Sequence, residues 1–285
     1  MKWQAVLFWG IPLAYILVRG FRSPDQNLLE RWGQAYGIEV TEANRPIVIT
    51  YLRLTRRIRT IGALAGVVLS VLWVTFTENS NSFLGNGLFL AVVGYLGATV
   101  VAEAVVPRLP RGATKTASLV PRTLHDYLPA YAIGAMRGLP VLSITLVPIY
   151  ALVKARSHAP IFDVSEIGMA VTSAILVALA IGIEIVQRMI VHRPQPVLVP
   201  DLLEADDAIR SASVHALAGG GIALALLWLS YQLSAIGNAS QAPVLGWLLP
   251  MLAIVMIGLA LSSWIDLAHP KEWRVRRHLH QGSHA

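Results

Sequence analysis

The sequence predicts an all-α, polytopic helical membrane protein of about seven transmembrane helices: one N-terminal helix followed by three repeated helical hairpins. Three observations carry that expectation. Of 285 residues, 55% are hydrophobic and only 14% charged, whereas a soluble domain has about 25% charged residues. With a mean hydropathy of +0.59, the chain has more apolar surface than one core can bury, so lipid must act as solvent. Long uncharged runs recur at Phe83–Ala102, Ile167–Ile183 and Val244–Ile265, each close to the length a helix needs to cross a bilayer. Finally, each run meets an acid and then leaves through bases and prolines. Glu103 precedes Pro107-Arg108-Leu109-Pro110-Arg111, Glu184 precedes Arg188 and His192-Arg193-Pro194, and Asp266 precedes His269-Pro270-Lys271. The acids lie 81 (184 − 103) and 82 (266 − 184) residues apart.

The expected organisation is one membrane domain over residues 1–285. Residues 1–19 form the first span: apolar from Trp3, uncharged until Arg19, and without an Ala-x-Ala cleavage site, which favours a retained helix over a signal peptide. Residues 20–59 are a cytoplasmic basic amphipathic segment with arginines at 22, 31, 45, 53, 56, 57 and 59. Within it, Ser23-Pro24-Asp25 starts a helix over Gln26–Tyr36 that Gly37 stops, and a second helix begins at Thr41. The pattern suits a segment that lies against anionic headgroups before turning into the bilayer.

Hairpin one covers residues 60–110, with its second helix uncharged from Phe83 to Ala102. Hairpin two covers 122–196. Its first helix is awkward: only Gly138–Val153 is uncharged, 16 residues or about 24 Å at helical rise. Extending it places Arg137 inside, beside Pro140 and Pro148, so a proline-broken span is expected. The acidic stretch Val197–Asp207 leads into hairpin three, residues 204–270, whose first helix runs from Val214 to Ala235. Residues 271–285 form a basic cytoplasmic tail. With the N-terminus outside, most arginines fall on the cytoplasmic side, as the positive-inside rule requires. The heavy use of Arg over Lys, with only four lysines, points to a bacterial plasma membrane.

The repeat has local support. Leu119-Val120-Pro121 matches Leu198-Val199-Pro200, and Asp126 and Asp207 are again 81 apart (207 − 126). Three two-span units bring the mitochondrial carriers to mind, but their Pro-x-acid-x-x-base signature is absent and that family is rejected. Glu42-Ala43-Asn44-Arg45-Pro46 leading to Tyr51-Leu52-Arg53 resembles stretches in uncharacterised multi-span membrane proteins of high-GC Gram-positive bacteria. The resemblance covers about forty residues and implies no activity.

Several chemistries are disfavoured. The chain has no cysteine, which removes thiolate metal sites and a cysteine nucleophile. The net charge of +7 is accounted for by cytoplasmic loops, and no nucleic-acid partner is expected. Gly219-Gly220-Gly221 sits in an apolar run without a following Lys-Ser/Thr, so it reads as close helix packing. Gly62-x-x-x-Gly66 reads the same way. His278, His280 and His284 belong to a terminal tail; no metal site and no cofactor are expected. Asp206 and Asp207 read as an acidic helix start rather than as ligands for Mg²⁺.

The candidate polar sites are Arg137, Pro140, Pro148, Glu103, Glu184 and Asp266. A charge within a span costs about 2.5 kcal/mol or more on insertion scales, so Arg137 should have a partner, with an acid on span three or five the natural choice. The three acids form an ion path if they converge, and boundary marks if each pairs with a nearby base. The resulting expectation is a permease-like or transport-associated membrane subunit, non-enzymatic, with a cytoplasmic partner such as an ATPase and a homo-oligomer as further options. The alternative is a non-catalytic interaction or scaffold subunit anchored by residues 20–59.

Overall fold

A computed structural model describes residue 18 and residues 20–77, 83–105, 115–116, 122–156, 165–193, 195–196, 200–240 and 242–268. The predicted first span, the tail at 271–285 and most of the loop after hairpin one lie outside the described residues. Those described are predominantly helical, with one two-residue antiparallel pairing of Lys115–Thr116 with Gln195–Pro196. Seven helices follow one another: α1 (Gln26–Tyr36), α2 (Arg45–Thr77), α3 (Phe83–Val105), α4 (Ala130–Ala155), α5 (Glu166–Val191), α6 (Pro200–Ala239) and α7 (Pro243–Ala268). Four of them, α4 to α7, are long and apolar enough to cross a membrane. At 26 residues, α4, α5 and α7 each reach about 39 Å, more than the roughly 30 Å hydrocarbon core.

The helices fall into two compact units. One holds α1–α3 with His192–Ser213; the other holds Thr123–Val191 with Val214 to Ala268. In the first unit, α1 starts and stops as its caps dictate. The Asp25 side chain accepts from the Leu28 N–H at 2.9 Å, and Gly37 takes φ 67° as the left-handed C-cap, a conformation that favours glycine. Helix α2 begins at Arg45, not at Thr41, and continues without a turn to Thr77. The amphipathic segment and the predicted second span are therefore one 33-residue helix.

The apolar face of that segment is not left for headgroups. Leu29 and Tyr36 of α1 and Val48, Tyr51 and Leu52 of α2 form a buried cluster with Ala205, Ala208, Ile209 and Ala212 of α6. Protein, not lipid, covers the stripe. Further along, α2 and α3 pack backbone to backbone. A Cβ on Gly66 would lie 2.1 Å from the Leu90 carbonyl oxygen, and one on Gly94 would lie 2.3 Å from that of Gly62. The Gly62-x-x-x-Gly66 pattern is thus a helix contact, as small residues at four-residue spacing allow.

In the second unit, α4 is continuous through both prolines. The predicted break does not occur. Each proline removes one donor, but the helix keeps its other backbone bonds and neighbouring helices support it. Helix α6 starts at Pro200 rather than Val214, so the acidic stretch lies inside a 40-residue helix. It is also the most enclosed of the four long helices. Its apolar window is 89% buried, against 17%, 22% and 11% for α4, α5 and α7. The glycine run makes this possible on one side: a Cβ on Gly219 would sit 3.1 Å from Leu267 Cβ of α7, and one on Gly221 2.9 Å from Ile183 Cδ1 of α5.

Candidate functional site

The polar residues singled out from sequence occupy three different environments. Glu103, on the last turn of α3, is wholly buried. It accepts from Arg59 at 2.7 Å, from the Ser213 hydroxyl at 2.8 Å and from the Tyr51 hydroxyl at 3.3 Å. Its base is therefore a residue of α2, 44 positions earlier, and its partners come from two helices, α2 and α6. The two tyrosines beside it feel that charge. Burial, and then the Glu103 carboxylate, pushes the Tyr51 and Tyr36 hydroxyls above their ordinary range, with Arg59 opposing.

Two turns before Ser213 on α6 lies a second buried charge cluster. Asp206 accepts from Arg210 at 2.6 Å and from Arg193, while Arg210 also donates to the Arg193 carbonyl at 2.8 Å. Asp207 pairs with Arg122 at 3.4 Å. These carboxylates lie near the start of α6, as an acidic helix start predicts, but they are buried and hold arginines inside the unit. An anion buried without such partners would cost several kcal/mol.

Arg137, expected to pair with an acid on span three or five, meets one on span five. Its guanidinium donates to both oxygens of Glu184, at 3.2 and 2.7 Å, and Arg188 donates to the same carboxylate at 2.6 Å. The cluster faces outward: the Arg137 side chain is 56% exposed. Pro140 is buried and Pro148 exposed. Arg137 and Glu184 are 47 positions apart. Counting 47 back from Asp266 reaches Gly219 (266 − 47). Where hairpins one and two clamp their helices with an arginine and an acid, hairpin three substitutes glycine contact, and Asp266 is exposed with no hydrogen bond or ion pair among the described residues.

Sequence reasoning missed the polar seam between α4, α5 and α6. Ser143, Ser173 and Gln232 are fully buried there. The Ser173 hydroxyl oxygen receives Ser143 Oγ at 3.1 Å, Trp228 Nε1 at 3.1 Å and Gln232 Nε2 at 3.0 Å, and Gln232 Nε2 also reaches the Ser143 carbonyl at 3.0 Å. Three donors converge on an oxygen with two lone pairs. Farther along α5, Gln187 donates to the Val214 carbonyl at 3.1 Å and to Met136 Sδ at 3.7 Å. The Oε1 atoms of Gln187 and Gln232 are buried without a partner among the described residues. A small pocket lined by Met136, Pro140, Leu176, Ile183 and Gly221 lies among the same three helices. The available signal was weak: single serines and glutamines at helical spacing in apolar runs, which composition averages away.

Among the described residues no three His, Asp or Glu side chains gather as metal ligands. No family model, curated protein or solved structure matches this chain.

Proposed function

We propose that the protein is a multi-pass membrane subunit of permease type, whose solute path runs along the α4–α5–α6 seam. One observation carries the reading. Two glutamine carbonyls, Gln187 and Gln232, are buried without a partner among the described residues, inside helices apolar enough to span a membrane. Each such group costs about 1–3 kcal/mol, a cost that water or a passing polar solute would cancel. Polar side chains turned into the interior of a membrane bundle commonly mark pathways. In this reading Arg137, Glu184 and Arg188 clamp α4 to α5, and Asp266 marks the same boundary on α7. The chain crosses a bacterial plasma membrane seven times, with its N-terminus outside, and works with an energy-supplying partner such as a cytoplasmic ATPase. The high-GC Gram-positive proteins that share the Glu42–Arg53 pattern would then be relatives in architecture.

The absence of native cysteine makes the test direct. Single variants Ser143→Cys, Ser173→Cys and Ile175→Cys are placed in vesicles and exposed to a charged, membrane-impermeant thiol reagent. A hydrated path predicts labelling at 143 and 173 and none at the outward-facing 175. Protection of both serine positions would remove the path and leave the scaffold reading. Affinity purification in mild detergent then tests for the ATPase.

A further inference from the structure

The unit built from α1, α2 and α3 carries a second feature, independent of the seam. A cavity of about 470 Å³ opens beside the start of α1, within the size range of small-molecule sites. Three guanidinium-bearing residues line it, Arg22, Arg31 and Arg56, together with Ser23, Asn27 and Asp25. Their formal balance is three positive against one negative. The lone carboxylate is already engaged, since Asp25 Oδ1 accepts from the Leu28 N–H at 2.9 Å. Val18, where the chain leaves its predicted first span, forms the apolar rim.

We propose that this cavity binds the phosphate-bearing headgroup of an anionic lipid. The apolar stripe of α1 and early α2 is covered by Ala205, Ala208, Ile209 and Ala212, so that stripe is not what this region presents to a bilayer. What it keeps is concentrated positive charge in a concave site at the predicted membrane exit. Arginine's planar fork matches phosphate oxygens, and the cytoplasmic leaflet supplies them. Val18 lies where the glycerol backbone would follow the phosphate toward the acyl chains. The site thus reads headgroup chemistry, not curvature or hydrophobic insertion.

The test uses the full chain in mild detergent, with lipid retention read by native mass spectrometry. Phosphatidylglycerol and phosphatidylcholine of identical acyl composition are compared on the wild type, on Arg22→Ala, Arg31→Ala and Arg56→Ala, and on the triple variant. Circular dichroism melts identify any variant that fails to fold, and the matching lysine variants preserve charge. Phosphatidylglycerol is expected to be retained preferentially. Each alanine should weaken it about fivefold, the factor equivalent to about 1 kcal/mol per basic residue at an anionic surface. The triple variant should lose the preference, and lysine should restore part of it. Displacement by millimolar inorganic phosphate would assign the site to phosphate in general; resistance would assign it to the intact lipid. Equal retention of both lipids, or a preference unchanged in the folded triple variant, overturns the proposal. Capture of poly-glutamate in place of phosphatidylglycerol through the same arginines also overturns it, in favour of an acidic protein segment.

Discussion

Among the described residues two arginine–acid pairs tie one helix to another, and they differ in almost everything except chemistry. Arg59 and Glu103 are enclosed, with side chains 11% and 0% exposed, and the carboxylate is further bonded to Tyr51 and Ser213. Arg137 and Glu184 are better aligned, with two parallel contacts, yet the arginine is 56% exposed. Geometry alone would rank the second pair higher. Burial reverses the order, because removing one partner of an enclosed pair strands a charge away from water, whereas an outward-facing charge can be solvated. The comparison teaches that the same residue pair is a folding constraint in one unit and a surface clamp in the other.

The strongest challenge to that contrast is Glu103→Ala. It removes the buried carboxylate that pairs with Arg59 and leaves the Tyr51 and Ser213 hydroxyls without this acceptor, and a loss of about 3–5 kcal/mol is expected. Thermal unfolding in detergent checks it: a melting temperature within a degree of wild type would show that the buried pair does not hold the unit. Next in size is Gly66→Ala, whose Cβ would meet the Leu90 carbonyl oxygen at 2.1 Å. Backbone must move to admit it, at about 1–3 kcal/mol, and the same melts should register an intermediate loss.

The environment of the first pair also predicts a pH response. Tyr36 and Tyr51 ionise at higher pH in the folded chain than in the unfolded one, chiefly through burial and secondarily through Glu103. A raised folded-state pKa contributes stability that is fully present below the unfolded value of about 10 and is lost as pH climbs through the folded one. Melting temperature should therefore fall steeply above about pH 10. Tyr36→Phe should flatten part of that slope while leaving the profile at pH 7–9 parallel to wild type. An unchanged alkaline slope would detach Tyr36 from the buried network. The smallest effect is expected at the second pair: Arg137→Ala should cost about 0–1 kcal/mol. A loss equal to that of Glu103→Ala would erase the distinction between the two regions.

Much of the local structure was legible in advance because it depends on near neighbours in the chain. The start of α1 at Gln26 and its stop at Gly37 follow from a capping aspartate and a glycine able to take positive φ. Gly62 and Gly66 announced a close helix contact, and Arg137, as a charge within an apolar stretch, announced an acid partner on span three or five. Other features misled for the same reason. Pro140 and Pro148 suggested a break, but a helix loses only the bonds those two residues would donate, and α4 runs on. Asp206 and Asp207 read only as an acidic helix start; the arginines that bury them, Arg122, Arg193 and Arg210, were not visible from that pattern.

Composition and periodicity by themselves determined that the chain is helical, that long stretches of it suit a bilayer, and where individual helices are capped. These are properties of a segment and its solvent. Tertiary structure alone decided the partners. It brought Glu103 to Arg59, 44 residues earlier in the chain. It covered the amphipathic stripe of α1 and α2 with alanines of α6, and it aligned Ser143, Ser173 and Gln232 into one seam. Hydrophobic pattern specifies which face of a helix turns inward. The identity of the group waiting there depends on a neighbouring helix tens of residues away, and so does the difference between a buried charge that constrains the fold and an exposed one that does not.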